Sequence, residues 1–129
     1  MSTIRVDNFG PSAGGTTYSA GGVAKLWVNF NGTGTVAVRD SLNASSITDN
    51  GTAVYTVNFS SSMSNGNYGI TVGNARAFAW GTVFPQLHTD ASFNESAPTS
   101  SSFITSIEAY NSGRNDNKYV YNAIHGDLA

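Results

Sequence analysis

The sequence predicts an all-β fold, a small antiparallel β-sandwich of jelly-roll type. Three observations carry that prediction. Apolar side chains recur at every second residue in several short segments, the period of a half-buried strand. Turn-forming runs such as Asn31-Gly32 and Asp49-Asn50-Gly51 stand between those segments. No segment keeps apolar residues at i, i+3, i+4 and i+7 over several turns, so no amphipathic helix is expected. Short strands punctuated in this way pack as two sheets or close into a barrel. We expect seven or eight strands in two sheets.

Residues 3–6 read as a short strand, and residues 10–22 (GPSAGGTTYSAGG) as a Gly- and Ser-rich linker or extended arm. Residues 24–31 alternate cleanly: Ala24, Leu26, Val28 and Phe30 share one face, Lys25, Trp27 and Asn29 the other. Asn31-Gly32 is a strong short-range hairpin signal, with residues 35–40 as the returning strand. Residues 45–59 read as one hairpin around Asp49, Asn50 and Gly51. Ala53, Tyr55, Val57 and Phe59 face one way there, and Val54, Thr56 and Asn58 the other. A polar loop covers 60–67. Residues 68–73 and 75–84 are further strands with Gly73-Asn74 at the turn, and Ala75, Ala77 and Ala79 oppose Arg76, Phe78 and Trp80. A face of such small residues suits close approach by another sheet or subunit. Residues 85–102 lack periodicity and read as a long loop, of a length that is often functional. Residues 103–110 and 118–127 are the last strands, joined by the polar connection 111–117.

The chain has 129 residues, which fits one domain, divided into an arm (1–22) and a sandwich (23–129). Charged residues are only 11%, well below the usual quarter, so polarity rests on Gly, Ser, Thr and Asn. Six Lys and Arg stand against eight Asp and Glu. The basic stripe of a nucleic-acid binder is therefore missing. With no cysteine there is no disulfide framework, thiolate metal site or cysteine nucleophile. The first residues lack a secretory apolar run, and no stretch approaches the ~20 apolar residues of a membrane span. A soluble product of the cytosol is expected. A small surface with a net charge of only −2 has little colloidal protection, which favours burial in an oligomer or a larger particle.

Motifs of chemistry are weak. Gly32-Thr33-Gly34 follows a strand but precedes no helix, so turn formation explains it better than a phosphate cradle. His88 and His125 each precede an aspartate by two residues, Asp90 and Asp127, yet nothing brings further ligands beside them. The acids are scattered, several at turns, rather than paired for acid–base work. There is no GxSxG elbow. Five N-x-S/T sequons, at Asn31, Asn43, Asn50, Asn58 and Asn94, read as a product of Asn, Ser and Thr richness. No catalysis, cofactor or metal is expected. The aromatics Trp27, Phe78, Trp80, Tyr110, Tyr119 and Tyr121 fall on strand faces or loop edges. There they serve a core or subunit interface, or else stack on sugar rings.

The run GGVAKLWVNFNGTGTVAVRDSLNASSITDNGTAVYTVNFSSSMSNGNYGITV resembles a module of phage tail-fibre and related virion proteins. In that module an AKAWVNF-type strand precedes NGTG and then an SSITDNGTGDYTVNF-type hairpin. The resemblance covers roughly residues 21–73, with a weaker echo in the closing IHGDLA. The chain departs from the pattern at Leu26, where a small residue is common, and at Ala53-Val54, where Gly-Asp is common. The resemblance implies a virion location after assembly in the bacterial cytoplasm, a homotrimer, and host attachment by non-catalytic binding of a cell-surface glycan. A capsid decoration or head-fibre protein is the alternative. On this reading residues 1–22 anchor the chain to other virion proteins by strand addition. Faces carrying Trp27, Phe78 and Trp80 pack subunits together. The loops 85–102 and 111–117 face outward, with His88, Asp90, Phe93, Tyr110, Arg114, Asn115, Asp116 and Tyr119 as the contact residues.

Overall fold

The structure, a computed structural model, describes residues 8–9, 13, 15, 18–19, 22–75, 83–87, 92, 94–109 and 113–129. Among them the fold is all-β, without an α-helix. Eight strands of five residues or more make two antiparallel sheets, in keeping with the expected number. They are β3 (Leu26–Asn31), β4 (Ala37–Leu42), β5 (Ala44–Asp49), β6 (Val54–Phe59), β7 (Gly69–Ala75), β8 (Val83–Leu87), β9 (Ser102–Ala109) and β11 (Tyr119–His125). Three further strands have two residues each: β1 (Asn8–Phe9), β2 (Tyr18–Ser19) and β10 (Gly113–Arg114).

Sheet I runs β4-β3-β11-β7. Sheet II runs β5-β6-β9, with β8 on the far side of β9 and β10 extending the edge that β6 occupies. Among the described residues, β1 and β2 form a separate two-stranded antiparallel ribbon. The expected strand at 3–6 lies outside the described residues.

The core fills the space between the sheets, and alternation selects its members. From β3 come Leu26, Val28 and Phe30; from β11, Val120 and Ile124; from β6, Tyr55 and Val57; from β9, Phe103 and Ile107. Each such side chain contributes about 1.5–3 kcal/mol by leaving water. Phe30 and Tyr55 meet edge-on across the two sheets, their ring centres 5.1 Å apart. Phe59 does the same for Tyr68 at 5.8 Å. Met63, in the loop read as merely polar, is buried in this core and bridges to Leu128. On the opposite face of sheet II the pair Val54 and Ser106 is also buried.

The hairpin around Asp49 forms as expected, with Ile47 opposite Val57 and Asp49 opposite Tyr55. Gly51 takes a φ of +119° and donates its N–H to Asp49 Oδ1 at 2.9 Å. Ala53 is held at a left-handed φ of +58°.

Other expectations are corrected. Asn31 pairs with Ala37, so β3 and β4 are joined by five residues rather than a two-residue Asn-Gly turn. Gly32 is needed for a different reason: a Cβ there would lie 2.4 Å from the Tyr55 hydroxyl oxygen. Gly73 and Asn74 do not turn the chain. They continue β7 opposite Tyr121 and Val120, and Ala75 ends that strand opposite Tyr119. The loop read over 85–102 contains most of β8, in which Pro85 pairs with Ile107. Proline hides this strand from pattern reading. It is tolerated because β8 is an edge strand, with one side free of ladder bonds. The connection 111–117 likewise contains β10, paired to β9 through Gly113–Ala109 and Arg114–Glu108.

A single residue, Asn43, carries the chain from sheet I to sheet II at a φ of +59°. Asn tolerates that region better than most residues. Its amide also clamps Ser61, donating to the carbonyl at 3.0 Å and accepting the N–H at 2.7 Å.

Candidate functional site

The same alternation that fills the core leaves aromatic rings on the outer face of sheet I. With Leu26, Val28 and Phe30 inward, β3 turns Trp27 and Asn29 outward. With Val120 and Ile124 inward, β11 turns Tyr119, Tyr121, Ala123 and His125 outward. Register aligns these side chains in rows. Leu42, Trp27, Ala123 and Thr71 form one row, and Asp40, Asn29, Tyr121 and Gly73 the next. Trp27 is 37% exposed, Tyr119 38% and Tyr121 41%. Three large rings on one sheet face are the kind of exposed apolar patch that marks a contact site.

Between Trp27 and Tyr121 lies a groove of about 440 Å³, lined also by Asn29, Thr71, Gly73 and Ala123 with the intervening backbone. It exists because Gly73 and Ala123 carry little or no side chain, while Trp27 and Tyr121 stand tall beside them. Asn29 and Thr71 supply its polar groups. That volume is within the range of small-molecule sites, about 300–1,000 Å³.

One edge of the face is fixed by Arg39. A bulge shifts the β3–β4 register between Asn29–Asp40 and Phe30–Val38, leaving Arg39 as the extra residue. Its guanidinium carbon lies 4.4 Å from the centre of the Tyr119 ring. Nη1 donates to Asn29 Oδ1 at 3.3 Å, and Nη2 donates to the Lys118 carbonyl. Tyr119 in turn stacks parallel to Tyr121, centres 6.4 Å apart at 7°. Lys118 Nζ stands 6.0 Å from the Tyr119 ring. Cation, ring and ring thus form a continuous stack. A cation–π contact at such an exposed site is worth about 0.5–1 kcal/mol, and it holds Arg39 only together with the two hydrogen bonds.

The expected contact residues are distributed otherwise. His88, Asp90, Phe93 and Tyr110 lie outside the described residues, as do Phe78 and Trp80. Tyr119 belongs to the aromatic face. Arg114 Nε lies 3.5 Å from Glu108 Oε1 on sheet II, with the arginine side chain only 8% exposed. Asn115 donates to the Gly113 carbonyl at 3.4 Å. Asp116 Oδ1 accepts the Ala53 N–H at 2.7 Å and the Tyr55 hydroxyl at 2.9 Å. Burial first, and then this bond and the Asp116 charge, push the Tyr55 phenol far above its usual range.

Sequence reading singled out Trp27 and Tyr121 as strand aromatics. It missed Arg39, Asn29, Thr71 and Gly73 as their neighbours. The usable signal was the pair of alternating runs LWVNF and YVYNAIH, whose outward positions are aromatic or polar. Among the described residues no group of three or more His, Asp or Glu is placed to hold a metal. Comparison with protein-family models, with curated proteins and with solved structures gives no match.

Proposed function

We propose that this chain is a module of a phage virion fibre that attaches the particle to its host by binding cell-surface glycan, with no covalent step. The observation that carries the reading is the outer face of sheet I, where Trp27 stands exposed and Tyr119 and Tyr121 stack in parallel beside a largely apolar groove. Rigid aromatic rings bind the apolar faces of sugars with little entropy left to lose. The resemblance of residues 21–73 to tail-fibre modules supports a virion setting. On this reading three copies assemble, residues 1–22 anchor them to the particle, and weak single contacts gain strength through avidity. The test is a pull-down of free protein on host and non-host cells, with Trp27→Ala beside the parent. Host-selective binding that Trp27→Ala loses supports the proposal. Tight binding to capsid lattice without affinity for cells would replace it with a head-fibre role.

A further inference from the structure

Resting on that reading, we infer that the groove takes an acidic saccharide: a sugar of the uronic-acid class, its ring against Trp27 and Tyr121 and its carboxylate on Arg39. The argument is charge complementarity at one rim. The chain carries a net charge of −2, and two of its six Lys and Arg residues, Arg39 and Lys118, stand at the same ring, that of Tyr119. Asp40, the acid of this face among the described residues, binds the Ser41 N–H through Oδ1 at 2.8 Å, and the two cations outnumber it. Arg39 stands just outside the groove, one hydrogen bond from its wall: Nη1 donates to Asn29, which lines the groove.

Arg39 is also held in advance. Its bonds to Asn29 and Lys118 and its seat on Tyr119 fix the plane of the guanidinium, yet leave further N–H donors for a ligand. A planar fork of this kind matches a carboxylate in two-point geometry, which an ammonium does not. A surface for a second copy of this chain would have to bury Arg39 and Lys118 with only Asp40, among the described acids of that face, to meet the two cations.

The test is titration calorimetry on the full chain with oligosaccharides of galacturonate and of glucuronate, each beside its neutral hexose counterpart. We expect the uronates to bind at least about tenfold more tightly than the neutral sugars. Arg39→Gln should remove that preference while lowering the melting temperature by no more than about 5 °C, whereas Arg39→Lys should restore only part of it. Trp27→Ala should weaken all the sugars. Equal affinity for acidic and neutral sugars, or a preference that survives Arg39→Gln, overturns this inference and leaves glycan attachment standing. No sugar binding while host cells are still captured also overturns it alone. Failure to bind both sugars and cells overturns the proposed function too. So does sedimentation showing an oligomer that Trp27→Ala dissociates, with no sugar bound.

Discussion

The Tyr55 hydroxyl lies 2.9 Å from Asp116 Oδ1 and 2.9 Å from the Gly32 carbonyl, inside a side chain with no exposed surface. One proton is shared between two acceptors from opposite ends of the sequence. The bond ties the β3–β4 connection and the segment before β11 to the centre of sheet II. Asn117 completes the tie by accepting the Gly32 N–H on its carbonyl at 2.9 Å.

This arrangement predicts alkaline sensitivity. Burial raises the Tyr55 phenol well above its usual value and raises Tyr68 to about 12. Below about pH 10 both phenols are protonated, folded or unfolded, and stability does not depend on them. Above it the unfolded chain releases protons that the folded chain retains, so stability falls as pH rises toward about 12. Urea midpoints measured across that window should drop. Tyr68→Phe should flatten the decline, and an unchanged slope would show that Tyr68 ionises freely in the fold.

Gly32 and Gly34 should respond differently to alanine. At Gly32 the new Cβ would meet the Tyr55 hydroxyl oxygen at 2.4 Å, its Cζ at 2.8 Å and the Asn117 carbonyl at 3.0 Å. The ring must shift inside a packed core, at a cost of about 1–3 kcal/mol or more. At Gly34 nothing lies within 4 Å, and only the φ of +62° opposes a side chain. That penalty is about 1–2 kcal/mol, and Gly34→Asn should relieve part of it. Denaturant melts of the three variants decide the point: equal losses at both positions would contradict the close approach at Gly32.

Asn122 faces the core between Val28 and Val72 with 3% exposure, and neither its Nδ2 nor its Oδ1 meets a partner. An unpaired buried amide costs about 1–3 kcal/mol. Asn122→Leu, close in shape, should therefore raise the melting temperature. A lower melting temperature would show that the amide has a role in the fold.

Gly73 offers a way to close the groove without disturbing the fold. A Cβ there would touch Tyr121 at 3.9 Å, an ordinary contact, and Gly73 stands in mid-strand where valine is favoured. Gly73→Val should keep or slightly raise stability while abolishing capture by host cells. Retained capture would place the contact elsewhere on the molecule.

The local pattern was sufficient for the strands that alternate. Leu26, Val28, Phe30, Tyr55 and Val57 declare their inward face within a few residues, because side chains on a pleated strand point alternately to its two sides. The Asp49–Gly51 turn is equally local. The pattern misled at Gly73-Asn74, since turn-forming residues also sit in a strand when a neighbour, here β11, supplies the ladder. It also misled at β8, since Pro85 is compatible with an edge that no sequence identifies as such.

The sequence by itself thus determined an all-β chain, the inward side of its main strands, and the aromatic character of the side left outward. Tertiary structure alone decided that Arg39 would lie on Tyr119 and that Asp116 would end beneath Tyr55, pairs separated by 80 and 61 positions along the chain. A period of two records which side of a strand meets water. It holds no information about which strand lies next to it, because pairing is settled by ladder bonds and core packing between segments that are distant in sequence.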